Sequence, residues 1–166
     1  TPRIQGAAPP APPLLPILRM ARLTLCLIAK NEESMLPACL ESVRGVVDEI
    51  VLVDTGSTDR TMELARAAGA TVLERPWDDD FSAPRNLAAR HATGDFILML
   101  DADERLAQDS GKALRAAVAR GGFHLGMVRL HNAARRDAPA EEVISGRARA
   151  GTVLLLPRLF RNVDGL

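Results

Sequence analysis

Apolar runs that alternate with helical segments are the feature that most constrains the fold of this 166-residue chain. The run LTLCLIA, residues 23–29, is almost wholly apolar, which indicates a strand covered on both faces. Similar runs occupy residues 49–54, 70–75 and 96–101, and segments with helical periodicity separate them. Strands that alternate with helices predict an α/β fold with a mostly parallel central sheet flanked by helices.

The remaining elements follow from the same periodicities. Two more strands are predicted over residues 124–131 and 152–160, and the polar stretch 135–150 between them is predicted to be an irregular, mobile loop. Helices are predicted from Asn31 to about Val43, over residues 58–69, from about 82 to 92, and over 108–120. Asn31 is expected to cap the first helix, because its side chain can accept a hydrogen bond from a free backbone N–H.

The two ends of the chain differ from its middle. Prolines interrupt every apolar run in the first twenty residues, which excludes both a helix and a secretory signal there. We therefore expect residues 1–20 to be a disordered leader and residues 21–166 to form one domain. Because the sequence stops directly after a predicted strand, with no closing helix, we expect this domain to be truncated at its C-terminus.

Composition excludes several classes of protein. The 21 basic and 21 acidic residues balance, whereas a general nucleic-acid binder usually shows a basic excess. No stretch approaches the roughly 18 apolar residues needed to cross a bilayer. Cys26 and Cys39 lie inside apolar runs and are expected to be small buried side chains rather than a disulfide, which favours a reducing, cytoplasmic location.

Polar side chains follow each of the first four predicted strands. Lys30, Asn31 and Glu32 follow the first strand, and Asp54 ends the second. The third leads into three aspartates at positions 78–80, and the fourth ends at Asp101 and Asp103. In an open α/β sheet, ligands bind beyond the carboxyl ends of the strands, so these residues are predicted to meet at one rim.

The spacing Asp-x-Asp is not specific by itself. With 12 aspartates in 166 residues, about one such pair is expected by chance, and this chain has two. The pair Asp101/Asp103 differs from Asp78/Asp80 because it ends the most apolar strand, FILMLD. Its like charges repel one another unless they splay into water or share a cation. Carboxylate oxygens in this setting suit Mg²⁺ or Mn²⁺, which keep positions open for substrate phosphates.

Arg85 is a second indication of an anionic ligand. It lies in the first turn of the helix predicted from Ser82, where a positive charge opposes the helix dipole. The neighbouring aspartates, or a phosphate held by two hydrogen bonds, would offset this charge. Asn86, the next residue, carries a donor and an acceptor that suit a ribose or a base.

Four motifs in this order resemble family 2 glycosyltransferases with the GT-A fold: IAKNEE, EIVLVDTGSTDRT, RPWDDDFSAPRN and ATGDFILMLDADE. The similarity spans Leu23 to Glu104, and PRLFRN near the end of the sequence also fits. The nearest likeness is to the lipopolysaccharide-core β-glucosyltransferase type. The resemblance implies an inverting transfer from a nucleotide-diphosphate sugar, most simply a UDP-sugar, to a cell-envelope glycan or lipid-linked acceptor. It also implies a cytoplasmic enzyme, with peripheral association at the inner face of the membrane.

The resemblance assigns roles to residues of this chain. Asp101 and Asp103 would bind Mg²⁺ or Mn²⁺, with Asp103 the direct ligand. The residues implied in binding the donor nucleotide and its diphosphate are Lys30, Asn31, Glu32, Asp54, Asp80, Arg85, Asn86 and Asp101. Inversion also requires a general base to deprotonate the acceptor hydroxyl. In the family that carboxylate lies beyond the metal motif, and neither Glu141 nor Glu142 matches a family motif, so no base is assigned.

Two alternatives differ in class. A truncated or degenerate relative would be a non-catalytic nucleotide-sugar-binding module. Other Mg²⁺-dependent α/β folds, such as receiver domains and Asp-x-Asp phosphatases, need a pair of acidic residues directly after the first strand, where this chain has Lys30, Asn31 and Glu32. The sequence therefore disfavours this last class.

Overall fold

The computed structural model describes residues 20–135 and 138–163. Strands and helices alternate along the described residues, and this alternation was predicted except for the helix between the last two strands. The strands are β1 (Leu23–Ala29), β2 (Glu49–Asp54), β3 (Thr71–Glu74), β4 (Phe96–Asp101), β5 (Leu125–Leu130) and β6 (Leu154–Arg161). The helices are α1 (Leu36–Ser42), α2 (Thr61–Ala67), α3 (Ser82–His91), α4 (Ser110–Arg120) and α5 (Ala140–Ser145).

The six strands form one sheet in the order β3-β2-β1-β4-β6-β5. The first four in this order are parallel, while β6 runs antiparallel to both β4 and β5. The prediction of a mostly parallel sheet is confirmed, and the bounds of all six predicted strands hold to within two residues. The carboxyl ends of β1, β2 and β4 consequently lie side by side.

β1 is buried on both faces, as its continuous apolar sequence predicts. Leu25 and Leu27 pack on the face that carries α1, α2 and α4, and Cys26 packs on the opposite face with Ala88 of α3. Full burial of one such leucine contributes about 1.5–3 kcal/mol relative to its exposed state. The strand that ends at the candidate site is therefore held rigidly between its neighbours and both helical layers.

Both cysteines are buried and free, as expected. Burial, and to a lesser extent Glu49, raises the pKa of Cys26 to about 12. Burial, with smaller contributions from the carboxylates near the end of β4, raises the pKa of Cys39 to about 12 as well. Both thiols are therefore protonated at neutral pH and serve as packing groups.

The prediction that Asn31 caps the first helix is wrong. α1 begins only at Leu36, after a turn in which the Leu36 N–H donates to the carbonyl of Glu32, and a proline occupies its first turn. Asn31 instead has a left-handed backbone, with a φ of 57°. The reason is that Pro37 supplies a helix start of its own, which leaves Asn31 to the loop after β1.

The prediction of an irregular stretch over residues 135–150 is also wrong in part. This stretch contains α5, which ends at Gly146 with a φ of 91°. A bridge between Ala133 and Arg149 closes the ends of the segment. Val143 packs there against two buried alanines, a cluster too short to produce a periodic sequence pattern. Within the two described ranges, no helix has the length and apolar character needed to cross a membrane.

Asp48 ties three elements together. Its Oδ2 accepts hydrogen bonds from the Leu23 N–H at 2.7 Å and from Nη1 of Arg115 in α4 at 2.8 Å. Burial disfavours the charge on Asp48, but these two donors outweigh it and lower the pKa of the carboxyl below its ordinary value of 3.8. The stabilisation is therefore present above that value and is lost as the pH falls through the pKa of the folded state.

We predict that Asp48→Ala lowers the free energy of unfolding by about 1–2 kcal/mol at pH 7, because it removes one backbone and one charged hydrogen bond. Glu41→Ala is the matched control, since it removes a carboxylate from an exposed pair with Arg44 and costs about 0.5 kcal/mol or less. Urea unfolding at pH 7 and pH 3 measures both. The deficit of Asp48→Ala should shrink on acidification, and equal stabilities of the two variants at pH 7 would contradict this role.

Candidate functional site

The candidate site lies at the carboxyl ends of the central strands. In the register of the sheet, Ala29 of β1 pairs with Asp54 of β2, and Ile28 pairs with Asp101 of β4. Asp54 and Asp101 therefore flank the end of β1, two strand spacings or roughly 10 Å apart. The structure thus brings the end of β2 and the end of β4 together on one rim, as the sequence predicted.

Asp54 has a carboxylate that is half satisfied. The residue is 2% exposed, and its Oδ1 accepts the N–H groups of Gly56 and Ser57 at 2.9 and 2.8 Å. Its Oδ2 is buried and has no hydrogen-bond partner within the described ranges. A buried acceptor without a donor costs about 1–3 kcal/mol, so this oxygen is suited to a ligand that brings an N–H or O–H group.

The loop after β1 is fastened to the loop after β2. Oδ1 of Asn31 accepts the Thr58 N–H at 2.8 Å, and the Asn31 N–H donates to Oγ of Ser57 at 2.9 Å. The Glu32 N–H donates to Oγ1 of Thr61 at 2.7 Å. Asn31 therefore shapes this side of the rim through its backbone and its side chain, and Glu32 through its backbone N–H. Lys30, which precedes them, is exposed there.

The segment before and within α3 supplies the third part of the rim. Oδ1 of Asp80 accepts the Ser82 N–H at 2.7 Å, which closes the start of the helix. Arg85 donates through Nη2 to Oδ1 of Asp101 at 3.0 Å, and its guanidinium lies 5.6 Å from the centre of the Phe81 ring. The anion that offsets Arg85 is thus Asp101 rather than the nearer aspartates 78–80. Asn86 is exposed on α3.

The residues Asp101 to Glu104 form a turn that closes on itself. The Glu104 N–H donates to the Asp101 carbonyl at 2.9 Å, and Oε2 of Glu104 accepts the Asp101 N–H at 2.9 Å. Ala102 is buried beneath the turn, with 4% exposure. Asp103 is exposed at its outer corner and forms no hydrogen bond or ion pair with any residue that the structure describes. The turn therefore presents the Asp103 carboxylate to solvent.

Arginines compensate the carboxylates at this turn. Oδ2 of Asp101 accepts Nη2 of Arg158 from β6 at 2.9 Å, and the same nitrogen donates to Oε1 of Glu104 at 2.6 Å. Burial disfavours the charge on Asp101, but Arg158 and Arg85 outweigh it and lower the pKa of its carboxyl. Burial, with repulsion from Asp101 and Asp103, raises the pKa of Glu104 even though Arg158 acts in the opposite direction.

This donor set fits a divalent cation that takes only part of its coordination from protein. In residues 20–135 and 138–163, no group of three or more His, Cys, Asp or Glu side chains could enclose a metal ion. Asp103 has both oxygens available, while both oxygens of Asp101 are engaged by arginines. Mg²⁺ is commonly bound by one or two carboxylates, with water and substrate phosphates completing the shell.

A large open cavity adjoins the rim on the side of β5. Its volume is about 1180 Å³, and Asp101, Asp103 and Arg158 are among the residues that line it. The remaining walls come from α4, α5 and β5, and include Leu114, Val143 and Met127. Lys30, Asn31, Asp54 and Arg85 do not line it. The rim and the cavity therefore share the turn from Asp101 to Glu104.

Two residues of this arrangement were not assigned to the site from the sequence. Glu104 was noted only as the last residue of the motif ATGDFILMLDADE, and Arg158 only as part of PRLFRN. A signal for Arg158 was present, because it is a charged residue inside the otherwise apolar run of β6, and such a residue needs a partner. That partner could not be identified without the antiparallel pairing of β4 with β6.

Comparison with known proteins decides the family. The family model for glycosyl transferase family 2 matches residues 24–148, which include the β1, β2 and β4 ends of the rim. The chain belongs to this family. Its sheet has the GT-A architecture of these enzymes, as the resemblance of the four motifs implied.

The relatives are longer than this chain. A TPR repeat-containing protein of Synechococcus elongatus is 43% identical over 145 residues, which cover 86% of this chain and 32% of that protein. An uncharacterized glycosyltransferase of Rickettsia typhi is 34% identical over 90 residues, covering 54% of this chain and 30% of its own length. The chain thus spans about a third of the length of these curated relatives.

A solved structure supports the same fold. The mannosyltransferase from Pyrobaculum calidifontis, in complex with GDP-Man and Mn²⁺, superposes with a TM-score of 0.54 and 25% identity. The match covers 66% of this chain and 35% of the mannosyltransferase.

We predict that Asn31→Ala lowers the free energy of unfolding by about 1–2 kcal/mol, since it removes the bond to Thr58 and puts alanine in a left-handed conformation. Asn31→Gly loses the same bond but tolerates the positive φ, so it should be destabilised less. Thermal and urea unfolding of both variants measures the difference. A glycine variant less stable than the alanine variant would contradict the strain at Asn31.

Proposed function

We propose that this chain forms the donor-binding part of an inverting glycosyltransferase that uses a nucleotide-diphosphate sugar. Membership of glycosyl transferase family 2 supports sugar transfer as the class of reaction. The observation that carries the proposal is that two carboxylates on one rim each offer an oxygen to a ligand. Asp54 offers a buried oxygen without a donor, and Asp103 offers an exposed carboxylate without a cationic partner among the described residues.

The two carboxylates would bind different parts of the donor. Oδ2 of Asp54 would accept an O–H or N–H of the ribose or base, which removes the cost of leaving that oxygen buried without a donor. Asp103 would hold Mg²⁺ or Mn²⁺ against the diphosphate, with Asp101 beside it. Lys30 is exposed on the nucleotide side, and Asp80 and Asn86 flank the segment that carries Arg85. The roughly 10 Å between the ends of β2 and β4 leaves room for a diphosphate.

Transfer of the sugar places negative charge on the departing diphosphate. The divalent cation supplies Lewis-acid stabilisation of that charge when it is bound. Arg85 lies at the same place and keeps part of its guanidinium exposed, so it can donate hydrogen bonds to phosphate oxygens while it holds Asp101. The acceptor hydroxyl would approach from the large cavity, which begins at Asp103.

The donor is most simply a UDP-sugar, and the acceptor a cell-envelope glycan or lipid-linked sugar, as in the lipopolysaccharide-core β-glucosyltransferase type. Apolar side chains of α4 and β5 line much of the cavity and would suit the less polar faces of such an acceptor. The similar mannosyltransferase was solved with GDP-Man, so guanine and uracil nucleotides are both worth testing. Transfer to a lipid-linked acceptor would take place at the inner face of the membrane.

A non-catalytic nucleotide-sugar-binding module is the second candidate. One observation favours it: among the described residues, the carboxylates that line the cavity are Asp101, Asp103 and Glu104, all in the turn at the rim. None lies on the acceptor side of the cavity as a general base. Glu141 and Glu142 lie in the first turn of α5 and do not line the cavity. Donor binding without hydrolysis or transfer, also in a longer form of the protein, would favour this candidate.

Calorimetric titration with UDP- and GDP-sugars, each with and without Mn²⁺, tests the proposal. We expect Mn²⁺ to strengthen binding of one nucleotide class, and Asp103→Ala to abolish this dependence on the metal. Asp54→Asn should weaken binding about tenfold or more in either condition, because the amide has one oxygen and cannot accept both the Gly56 and Ser57 N–H groups and the ligand donor.

Asp109→Ala is the control, because Asp109 is an exposed aspartate at the start of α4 that does not line the cavity. It should bind nucleotides like the unmodified chain. Absence of binding to every nucleotide sugar, with and without Mn²⁺, would refute the proposed function.

A further inference from the structure

Arg158 is the most enclosed cation at the rim, since Arg85 has a 37% exposed side chain and Lys30 is exposed. The Arg158 side chain is 13% exposed and Glu104 is 12% exposed, whereas Asp101 is 35% exposed. A guanidinium with so little solvent is costly unless its charge is balanced, and Asp101 and Glu104 together balance it. The arrangement places one cation between two carboxylates, beneath the turn that carries Asp103.

The position of Arg158 is set by the sheet rather than by a loop. β6 pairs with β4, and Leu159 lies opposite Leu98 in the register. Arg158 therefore stands beside the carboxyl half of β4 on a strand that hydrogen bonds hold in place. A side chain on such a strand fixes its partners more closely than one on a loop would.

The contacts of Arg158 reach both ends of the turn. Asp101 begins the turn and Glu104 ends it, and Nη2 of Arg158 donates to a carboxylate oxygen of each. The second oxygen of Glu104 accepts the Asp101 N–H, so the three residues form one closed network. Asp103 is held only through the backbone of this turn, because its own carboxylate has no hydrogen bond within the described ranges.

We propose that Arg158 is a positioning residue, which locks the turn from Asp101 to Glu104 so that Asp103 presents its carboxylate to the cation of the donor complex. The inference rests on the proposed function, since the cation is that of a nucleotide-sugar diphosphate. Arg158 also donates a hydrogen bond to Oδ2 of Asp101, which leaves Asp103 as the carboxylate available to coordinate the cation directly. Groups that orient the ligands of a metal typically change its affinity by about 10- to 100-fold when they are removed.

One detail of the geometry separates this role from general stabilisation. A single nitrogen of Arg158 makes both contacts, so the forked shape of the guanidinium is not required. Lysine can place one ammonium nitrogen between the two carboxylates, although it is usually a poor replacement at forked sites. Methionine keeps the apolar stem but removes the charge. The pair Arg158→Lys and Arg158→Met therefore changes the charged contact with little change in packing.

The test measures Mn²⁺ affinity in the presence of UDP by electron paramagnetic resonance, and UDP affinity without metal by calorimetry. Arg158→Met should weaken Mn²⁺ binding about 10- to 100-fold, while metal-free UDP binding changes by about twofold or less, because Asp54 is a separate site. Arg158→Lys should restore Mn²⁺ affinity to within about threefold of the unmodified chain.

Arg161→Met is the matched control, because Arg161 lies on the same strand, is exposed and does not line the large cavity. It should leave both affinities unchanged. If Arg158→Met proves unfolded, Glu104→Gln provides the second variant, since it removes the charge that Arg158 balances at the end of the turn. Glu104→Gln should weaken Mn²⁺ binding while metal-free UDP binding persists.

The possible results separate the two proposals. A folded Arg158→Met or Glu104→Gln chain with unchanged Mn²⁺ affinity overturns the role of Arg158 and leaves the proposed function intact. Parallel losses of metal-dependent and metal-free binding also overturn it, because they indicate a general structural effect. An unmodified chain that binds neither UDP nor GDP, with or without Mn²⁺, refutes the proposed function, and the role of Arg158 with it.

Discussion

The burial of β1 between β2 and β4 is the constraint on which the rest of the structure depends. A parallel strand covered on both faces has no freedom to shift, since a slip of one residue would move every side chain to the opposite face. Its register with β2 and β4 therefore fixes Asp54 and Asp101 on either side of its end. The positions of the carboxylates at the rim therefore follow from the packing of the apolar residues of β1.

The three carboxylates of the turn from Asp101 to Glu104 differ in how many arginines balance their charge. Asp101 is compensated twice, by Arg85 from α3 and Arg158 from β6, and Glu104 shares the second of these arginines. Asp103 is left with none among the described residues. The two neighbouring aspartates, alike in sequence, thus differ in what they can bind: one is a fixed anion inside the protein, and the other faces a ligand.

The sequence predicted what depends on local pattern and missed what depends on pairing between distant segments. Continuous apolar runs located all six strands, and the polar residues at their ends indicated the rim. Asn31 was misassigned because asparagine suits both a helix cap and a left-handed loop position. Pro37 favours a helix that begins at Leu36, so Asn31 lies in the loop before it. Arg158 was missed because its partners lie 54 and 57 positions away and meet it only across the β4–β6 pair.

The antiparallel β6 also has a consequence for the order in which the domain is made. The ribosome synthesises β4 and the three carboxylates of the following turn well before β6, since Arg158 follows Glu104 by 54 positions. Until then the edge of β4 is unpaired, and Asp101 has Arg85 but lacks Arg158. The rim is therefore completed late in synthesis, and the same strand both balances the charge of Asp101 and covers the exposed edge of β4.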